Sequence, residues 1–464
     1  MENRIFVNRI LNLRHIKYIG LDMDHTLIRY NTVRFESKVY ELMVQFLIKN
    51  KNYPEESNKL VFNFNLAIRG LVIDKCHGNI LKLSRYGGIK ESYHGTTPIK
   101  YHEQKRFYRG TYVDLSDSNF IPVDTAFSIA VCVLYAQLVD LKDSGEHSMG
   151  SYEEIARDVI NAVDHVHSQG HLKQHVSKHL EDFIIKDETL IRGLQRFLKH
   201  DKKIFIITNS DYAYTKVLLD YAINPFLEDG QVWSDLFEYV VTLADKPRFF
   251  YDNLKFLKID LNTASMSNLN GKLLPGIYQG GCATKFTEDL NLSGDQILYI
   301  GDHIYGDVLR LKKDCNWRTA LVIEELGDEI VGYHKAEPLA LKVEELLSKK
   351  QPLEQEYALL SSKRIEEKSN VFDKDINQLL LRIAALDKRV FSALTRQRLY
   401  FNHRWDRVFR AAEEESFFAQ QVNRFACIYM EKLSDLFTCL PRTYFKKNRK
   451  VFAHEFYPKK SNDS

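Results

Sequence analysis

The sequence predicts an α/β fold whose core is a doubly wound, mostly parallel sheet. Five apolar stretches run continuously instead of alternating with polar residues, which is typical of parallel strands covered on both faces. Helix-like patterns such as "ETLIRGLQRFLKH" (188–200) separate them, so strands and helices alternate. The stretches are "HIKYIGLD" (15–22), "KKIFIITNS" (202–210), "EYVVTLADK" (238–246), "DQILYIGD" (295–302) and "RTALVIEEL" (318–326). Ligands of such sheets bind at the carboxyl ends of the strands.

A long insertion follows the first strand. Residues 23–201 separate the first two stretches, far more chain than one crossover connection needs. Within it, "FNFNLAIRGLVIDKCHGNILKLSRYGG" (62–88) indicates strands, and residues 124–141 and 151–185 indicate helices. An insertion at this point is placed to cover the carboxyl edge of the sheet. We therefore expect an inserted cap domain that contributes to substrate specificity.

Two further segments complete the organisation. Residues 249–290 contain a turn-rich stretch, "LNTASMSNLNGKLLPGIYQGG", that predicts a hairpin. After residue 345 the pattern is helical, with apolar residues at spacings of three and four at Ile376, Leu379, Ile383, Leu386, Val390 and Leu394. These helices could pack on the core or form a subunit interface. The predicted domains are a catalytic core (1–50 and 186–345), a cap (51–185) and a helical C-terminal region (346–464).

Composition narrows the class of protein. The net charge is +3, which gives no bulk argument for nucleic-acid or membrane binding, and the basic, aromatic tail "PRTYFKKNRKVFAHEFYPKK" is read as a solvated terminus or partner contact. The six cysteines lie far apart without a C-x-x-C motif, as in reduced cytosolic proteins. No signal peptide or transmembrane stretch is apparent in the sequence. We expect a soluble, cytoplasmic protein with neither nucleic-acid nor membrane partners.

The first strand ends in two acidic residues, Asp22 and Asp24, one residue apart. Two such carboxylates repel each other unless a cation lies near them, and oxygen ligands suit Mg²⁺. A carboxylate beside Mg²⁺ can also attack phosphorus and form an aspartyl-phosphate. The pattern D-x-D-x-T is weak support by itself because surface loops often contain it.

The other strand ends supply complementary groups. Thr208, Asn209 and Ser210 follow the second strand and could hold phosphate oxygens, and Lys246 follows the third as a cation for a phosphoryl group. The fourth strand ends at Asp302, with Asp307 after a tight turn, which adds carboxylates for the metal. Together these residues provide a nucleophile, phosphate ligands and metal ligands, which is the inventory that phosphoryl transfer requires.

The set "DMDHT", "IITNS", "ADK" and "GDHIYGD" resembles the motifs of the haloacid dehalogenase superfamily of phosphohydrolases. The resemblance implies that Asp22 is the nucleophile and that Asp24 is the general acid and base, with its main-chain carbonyl reaching Mg²⁺. It implies that Asp22 and Asp302 bind Mg²⁺ directly, supported by Asp307. Thr208 and Lys246 are then expected to bind phosphate.

Longer segments of the sequence resemble one particular family within this superfamily. "GLDMDHTLIRY", "TNSDYAYTKVLLDY", "YIGDHIYGDVLRLKK" and "WRTALVIEEL" are similar to the cytosolic purine 5′-nucleotidases that prefer inosine and guanosine monophosphates. This family implies Mg²⁺-dependent hydrolysis of purine nucleoside 5′-monophosphates. Because an aspartyl-phosphate can meet another acceptor, it also implies phosphate transfer to a nucleoside.

In that family the cap binds the nucleoside. The resemblance places a base-stacking aromatic at Phe127, nucleotide contacts at Asp164 and His167, and a phosphate contact at Lys173. Where relatives carry an Arg that hydrogen-bonds the purine edge, this sequence has Ile160, which cannot donate that bond. The choice between inosine and guanosine is therefore open.

Members of the family are commonly oligomeric and activated by purine nucleotides at a separate site. The matching residues here are Asp124, Tyr305, Lys313, Gln421 and Arg424. Asp124 replaces an Asn and would repel phosphate, so the effector site is expected to be altered. We expect a homo-oligomer, either a dimer or a tetramer.

Three alternatives remain open at this point. The chain could be a related phosphatase acting on another small phosphate ester, or a nucleotide-binding regulator without activity. His171, His175 and His179, spaced by four, could bind zinc on one helix face, although such a stripe is more often a solvated face.

Overall fold

The computed structural model describes residues 4–260 and 265–447, without the side chain of Ala126. Residues 448–464, which end the predicted helical region and include much of its basic tail, lie outside the described residues. Residues 261–264 of the predicted hairpin lie outside them as well.

The strands differ in length from two to six residues. They are β1 (Ile5–Val7), β2 (Leu11–Asn12), β3 (Tyr18–Leu21), β4 (Arg29–Tyr30), β5 (Leu71–Asp74), β6 (Asn79–Leu83), β7 (Ile89–His94), β8 (Thr97–Pro98), β9 (Phe120–Val123), β10 (Ile184–Ile185), β11 (Lys203–Ile207), β12 (Tyr239–Thr242), β13 (Phe256–Ile259), β14 (Met266–Asn268), β15 (Gly276–Gly280), β16 (Ile297–Gly301), β17 (Arg318–Val322), β18 (Arg410–Ala411), β19 (Glu414–Glu415), β20 (Ile428–Met430) and β21 (Tyr444–Phe445).

The α-helices range from single turns to a helix of 41 residues. They are α1 (Thr32–Lys51), α2 (Tyr101–Phe107), α3 (Ile129–Asp143), α4 (Tyr152–Ser168), α5 (His171–Lys178), α6 (Leu180–Phe183), α7 (Glu188–Leu198), α8 (Tyr212–Ala222), α9 (Arg248–Tyr251), α10 (Ala283–Asp289), α11 (Arg310–Asp314), α12 (Leu326–Glu366), α13 (Asp373–Arg398), α14 (Phe417–Phe425) and α15 (Leu433–Thr438). None of these helices combines the length and the apolar character that crossing a lipid bilayer requires.

The chain forms two compact units. Unit 1 contains residues 1–29, 184–322 and 421–464, and unit 2 contains residues 30–183 and 323–420. This division differs from the predicted one, because residues 346–420 group with the predicted cap, whereas residues 421–464 group with the predicted core. Each unit is therefore assembled from segments that are distant in the sequence.

Unit 1 is built on a ten-stranded sheet. Its strand order is β1-β20-β17-β16-β3-β11-β12-β15-β13-β14. Neighbouring strands from β20 to β15 pair in parallel, and the flanking pairs β1–β20, β15–β13 and β13–β14 are antiparallel. All five predicted strands lie in the parallel part, so the predicted α/β class with a parallel sheet is confirmed.

The direction of winding changes at β3. After β3 the chain adds β11 and β12 on one side, and it later adds β16 and β17 on the other side. The carboxyl ends of β3, β11 and β16 therefore meet at a topological switch point, where open α/β sheets bind their ligands. The core beneath is apolar: Ile19, Leu21, Ile206 and Ile300 are all fully buried.

Unit 2 contains a smaller antiparallel sheet of order β8-β7-β6-β5-β9. The helices α1, α3 and α4 pack on one another, and α12 packs along α13. The strands predicted within 62–88 and the helices predicted within 124–141 and 151–185 are confirmed as β5, β6, α3 and α4–α6. The predicted helical C-terminal region contains α13–α15 and most of α12, and it also contains the short strands β18–β21, of which β20 joins the main sheet of unit 1.

Candidate active site

Three buried carboxylates converge at the carboxyl edge of the parallel sheet. Asp22 directly follows β3 and Asp302 directly follows β16, while Asp307 lies on a π-helical turn at Ile304–Leu309. One oxygen of each carboxylate lies within 4.8 Å of the others, and all three residues are buried. Such a concentration of negative charge needs a cation nearby.

Lys246 supplies one cation to this cluster. Its Nζ lies 2.7 Å from Asp22 Oδ1 and 2.7 Å from Asp307 Oδ1, with a side chain only 5% exposed. Burial disfavours the charge of this ammonium, but the Asp22 and Asp307 carboxylates outweigh burial and raise the pKa of Lys246. The lysine therefore remains charged at its position between two acids.

The cluster still holds more negative charge than Lys246 balances. Burial raises the pKa of Asp22, and the Asp307 and Asp302 carboxylates raise it further against the opposing effect of Lys246. Three carboxylates offering oxygen ligands at this spacing are the donor set that Mg²⁺ takes in proteins. The residues at this edge thus fit a divalent cation.

The local backbone fixes Asp307 in place. Its amide donates to His303 O at 2.9 Å, and its Oδ2 accepts from the His303 amide at 3.3 Å. A Cβ on Gly301 would lie 2.3 Å from Asp307 Oδ2. Glycine is therefore required at the end of β16 for the carboxylate to approach the strand.

Asp24 has a different partner from Asp22. Ser210 Oγ donates to Asp24 Oδ2 at 2.9 Å, and the Ser210 amide donates to Thr208 Oγ1 at 3.0 Å. Thr208 is fully buried at the end of β11. The predicted residues Asp24, Thr208 and Ser210 are thus brought together after neighbouring strands.

Asn209 connects two loops. Its Nδ2 donates to Lys246 O at 3.1 Å, and its Oδ1 accepts from the Lys246 amide at 2.7 Å. Both ends of the amide are bonded to the backbone of Lys246, so the contacts of Asn209 position that lysine. This contact differs from the predicted one with phosphate.

Sequence reasoning missed Tyr299. Its hydroxyl lies 3.2 Å from Lys246 Nζ, from which it accepts, and donates to Ile207 O at 3.0 Å. In "DQILYIGD" the tyrosine resembles any buried aromatic of a strand. One feature of the sequence could have identified Tyr299 as a site residue. It is a polar hydroxyl three residues before Asp302, in a strand whose other residues are aliphatic or glycine.

The sequence model of the 5′ nucleotidase family matches residues 5–457, nearly the whole chain. The chain belongs to the 5′ nucleotidase family. Membership makes it a phosphoric monoester hydrolase, in agreement with the predicted reaction class.

Two relatives support this membership over almost the full chain. A 5′-nucleotidase domain-containing protein of Dictyostelium discoideum is 27% identical over 463 residues, which cover 97% of this chain and 75% of that protein. The 5′-nucleotidase domain-containing protein 2 of Homo sapiens is 27% identical over 469 residues, covering 97% and 85%. A solved haloacid dehalogenase-like family hydrolase from Xanthomonas campestris is 8% identical with a TM-score of 0.25, covering 66% of this chain and 82% of that one. This last likeness is too weak to support a conclusion.

In unit 2 of this 5′ nucleotidase family member, two of the residues predicted to bind nucleoside lie together. The rings of Phe127 and His167 are edge to face, with centroids 5.4 Å apart, and Phe35 lies 5.7 Å from Phe127. Burial, together with the smaller effect of nearby Lys173, lowers the pKa of His167 to about 4, so the imidazole is neutral near pH 7. His167 Nε2 is buried and has no hydrogen-bond partner among the described residues.

The other predicted cap residues lie on the same helix. Ile160, Asp164 and His167 are spaced by four and three on α4, so they share one face. Ile160 is half-buried and Asp164 is exposed. Lys173 lies on α5 and is half-buried.

Sequence reasoning also missed Glu36, which is fully buried on α1. Its Oε2 accepts from the Ala130 amide at 2.7 Å, in the first turn of α3. Burial raises the pKa of Glu36 to about 8, against the opposing backbone hydrogen bond. This neutral acid joins α1 to the start of the helix that follows Phe127.

Four of the predicted effector residues lie in unit 1, whereas Asp124 lies in unit 2. Lys313 Nζ and the Arg424 guanidinium lie 5.9 Å and 5.1 Å from the centroid of the Phe425 ring. Gln421 is buried on α14 one turn earlier, and Tyr305 lies on the π-helical turn with Asp307. The structure therefore brings Lys313 and Arg424 to one aromatic ring.

The predicted zinc stripe does not form on a single helix face. His171 opens α5, and His179 lies beyond its last residue. An exposed group of His179, Glu181 and Asp182 is close enough to hold a metal ion, but Asp182 is already paired with Arg34. Exposed acidic groups of this kind are common without a metal.

Proposed function

We propose that this member of the 5′ nucleotidase family is a Mg²⁺-dependent phosphatase. Its substrates are purine nucleoside 5′-monophosphates, GMP or IMP, and the reaction proceeds through an aspartyl-phosphate on Asp22. The observation that carries the proposal is the convergence of Asp22, Asp302 and Asp307 on Lys246, with Nζ 2.7 Å from two of the carboxylates. This arrangement is suited to a bound dianion and a divalent cation.

In the proposed first step, a carboxylate oxygen of Asp22 attacks phosphorus. The bond from phosphorus to the 5′ oxygen breaks, and Asp24 gives its proton to that leaving oxygen. Lys246, Thr208 and the amides after β11 stabilise the charge on the phosphoryl oxygens. The products are the nucleoside and an aspartyl-phosphate.

In the second step, Asp24, now a carboxylate, takes a proton from water. The resulting hydroxide attacks phosphorus, and the acyl-phosphate bond breaks to restore the Asp22 carboxylate and release inorganic phosphate. The hydrogen bond from Ser210 to Asp24 holds the acid in one orientation for both steps. If a nucleoside hydroxyl replaces water, the same step transfers phosphate to that nucleoside.

The residues present fit Mg²⁺, which we propose as the cofactor. Asp22 and Asp302, with the main-chain carbonyl of Asp24, would hold the ion, and Asp307 would support it. When bound, the ion neutralises phosphate charge and balances the carboxylates that Lys246 leaves uncompensated.

For the nucleoside, we propose that Phe127 stacks on the base and that Asp164 and His167 contact the sugar and base. Lys173 then contacts the phosphate. The neutral His167 ring has a buried nitrogen able to take part in one directed hydrogen bond. Ile160 offers an apolar contact only, so base choice depends on the remaining groups.

The proposal also covers the regulation, assembly and location of the protein. We propose a purine nucleotide effector site in unit 1 that uses Lys313 and Arg424 with Tyr305 and Gln421. We also propose a homo-oligomer, a dimer or tetramer, and a cytoplasmic location.

The test is phosphate release from a panel of purine and pyrimidine nucleoside monophosphates and sugar phosphates. Each substrate is assayed with Mg²⁺ and with chelator. We expect Mg²⁺-dependent release from GMP or IMP above all others. Faster release from a sugar phosphate would overturn the nucleotide assignment but keep the phosphatase. No release from any compound would favour a regulator without activity.

A further inference from the structure

Phe35 on α1 is a buried aromatic residue beside two residues that we propose to contact the nucleoside. It is 3% exposed, and the centroid of its ring lies 5.7 Å from that of Phe127 and 6.4 Å from that of His167. The rings of Phe127 and His167 are themselves 5.4 Å apart. The three rings therefore form a closed triangle within unit 2, in which each ring packs against the other two.

The angles between the rings restrict the position of Phe127. The planes of Phe35 and Phe127 meet at 66°, and those of Phe127 and His167 meet at 86°, so both pairs are edge to face. Such contacts are directional, because the positive edge of one ring is attracted to the negative face of the other. A rotation of the Phe127 ring would disrupt both contacts at once.

Phe35 is itself anchored by a second buried ring. Tyr30, at the end of β4, is 2% exposed, and its ring lies 4.9 Å from that of Phe35 with an angle of 68° between the planes. Phe35 therefore connects the apolar interior of unit 2 with the two rings of the candidate nucleoside site.

The residue that follows Phe35 holds the same segment by its backbone. Glu36 is fully buried, and its Oε2 accepts a hydrogen bond at 2.7 Å from the amide of Ala130, three residues after Phe127. Two consecutive residues of α1 thus contact the segment 127–130, one through the aromatic ring and one through a main-chain amide. The two contacts are different in kind and fix the same short stretch of chain.

We propose that Phe35 is a positioning residue for the nucleoside, which holds the Phe127 ring in place before the base binds. The inference rests on the proposed function, because it takes Phe127 as the residue on which the base stacks. A side chain that is already fixed in its bound position loses little conformational freedom when the ligand arrives, and binding is tighter for that reason. Phe35 has this effect without any contact of its own with the substrate.

The test is the substitution Phe35→Leu, which keeps an apolar side chain and removes the ring. Steady-state kinetics are measured on the full-length protein with Mg²⁺ and with GMP or IMP, whichever the wild type prefers. We expect KM to rise about tenfold, which corresponds to 1.4 kcal/mol, and kcat to stay within about twofold of wild type. A KM within about twofold of wild type, or a loss confined to kcat, would overturn the proposal.

Phe46→Leu is the matched control. Phe46 lies three turns further along α1, and its ring packs 4.4 Å from that of His165 on α4, the helix that also carries His167. The control therefore loses a ring contact between the same two helices, away from Phe127. Its KM should stay within about twofold of wild type. An equal rise in both variants would show that only general packing of the helices is involved.

A double substitution tests whether Phe35 acts through Phe127. Phe127→Leu should raise KM by at least about tenfold, and adding Phe35→Leu should then change KM by less than about twofold, because no ring remains to be held. Independent effects would instead multiply. A further tenfold rise in the double variant would refute the positioning role.

Thermal unfolding of each variant, compared with the wild type, shows that the protein assayed is folded. If Phe35→Leu is unfolded at the assay temperature, Phe35→Met takes its place, because methionine adapts to irregular space without being aromatic. Wild-type protein that released phosphate from no nucleoside monophosphate would overturn the proposed function and this inference together. Wild-type release with an unchanged KM in the folded Phe35 variant would overturn this inference alone.

Discussion

Lys246 Nζ lies 2.7 Å from Asp22 Oδ1, and both side chains are almost fully withdrawn from water. The lysine also contacts Asp307 at 2.7 Å. One ammonium therefore bridges two carboxylates, one directly after β3 and one on the turn that follows β16. Removing one partner of a buried pair leaves an uncompensated charge, which costs about 3–5 kcal/mol. The pair thus links the stability of this edge of the sheet to the position of the proposed nucleophile.

Asp22→Asn should abolish turnover while leaving the fold intact. The amide keeps the shape of the side chain and removes one of three crowded negative charges, and Lys246 keeps Asp307 as a partner. We expect phosphate release from the best substrate to fall by at least about 10⁴-fold. The matched control is Asp245→Asn, an exposed acid one residue from Lys246, which should stay within about twofold of wild type. Residual turnover near the wild-type rate in Asp22→Asn would refute the aspartyl-phosphate mechanism.

Asp302→Asn should weaken Mg²⁺ binding. For the wild type, we expect Mg²⁺ to raise the unfolding temperature and chelator to lower it, since a ligand that binds only the folded state stabilises it. In the variant, the Mg²⁺ concentration needed for half of that rise should increase about 10–100-fold.

Asp182→Asn, in the exposed group with His179 and Glu181, is the control for this measurement. It should respond to Mg²⁺ as the wild type does. An unchanged response in Asp302→Asn would remove that residue from the metal site, whatever happens to turnover.

Tyr299→Phe should reduce both stability and rate. The hydroxyl accepts from Lys246 and donates to Ile207 O, so its loss leaves a buried carbonyl without a donor. We expect unfolding in urea to require about 1–2 kcal/mol less free energy, and kcat to fall by roughly three- to tenfold.

Tyr278→Phe separates the two effects of that substitution. Tyr278 is a buried tyrosine on β15 whose hydroxyl donates to Leu274 O at 2.6 Å, away from Lys246. It should lose comparable stability with kcat unchanged. If both variants lowered kcat equally, Tyr299 would have only a structural role.

Glu36 should make stability fall as pH rises. Its folded pKa is about 8, against an ordinary value of 4.5, so between these values the unfolded chain has lost a proton that the folded chain keeps. This group therefore lowers the free energy of unfolding by about 1.4 kcal/mol per pH unit between pH 4.5 and 8. Glu36→Gln removes the titration.

Urea unfolding at pH 5, 6, 7 and 8 measures the effect. The difference in free energy between Glu36→Gln and wild type should grow in favour of the variant with each pH unit. Other acids whose pKa is raised, such as Glu329 and Asp22, are present in both proteins and cancel in the difference. A difference that does not change with pH would show that Glu36 is ionised in the folded protein.

The residues at the strand ends could be predicted from the sequence, whereas the roles of the buried polar groups could not. Asp22, Thr208, Lys246 and Asp302 could be placed together because each directly follows an apolar run or its turn, and parallel strands end at one edge. Tyr299 could not be singled out, since a tyrosine within an apolar strand has the same pattern whether or not its hydroxyl is used. Glu36 on a helix reads as a solvent-facing acid until the Ala130 amide is seen to bind it.

The strand β20 was missed for another reason. "CIYM" is too short to be distinguished from the helical residues on either side of it, and only its tertiary pairing with β17 and β1 makes it a strand. The domain boundaries also depend on tertiary contacts. Which unit residues 346–420 join is decided by packing, and spacing along the chain does not report that packing.

The pairing of β1 with β20 also determines when the main sheet can be completed during translation. Ile5–Val7 leave the ribosome more than 400 residues before their partner Ile428–Met430. At 5–20 residues per second, the early strand waits roughly 20–80 s for its neighbour. The edge of β17 is uncovered only for roughly the last 5–20 s of that wait, because β17 ends at Val322 and its partner β20 begins at Ile428. Nascent chains of this protein should therefore depend on chaperones late in translation, and a premature stop shortly before residue 428 should leave a catalytic sheet that is almost complete but prone to aggregate.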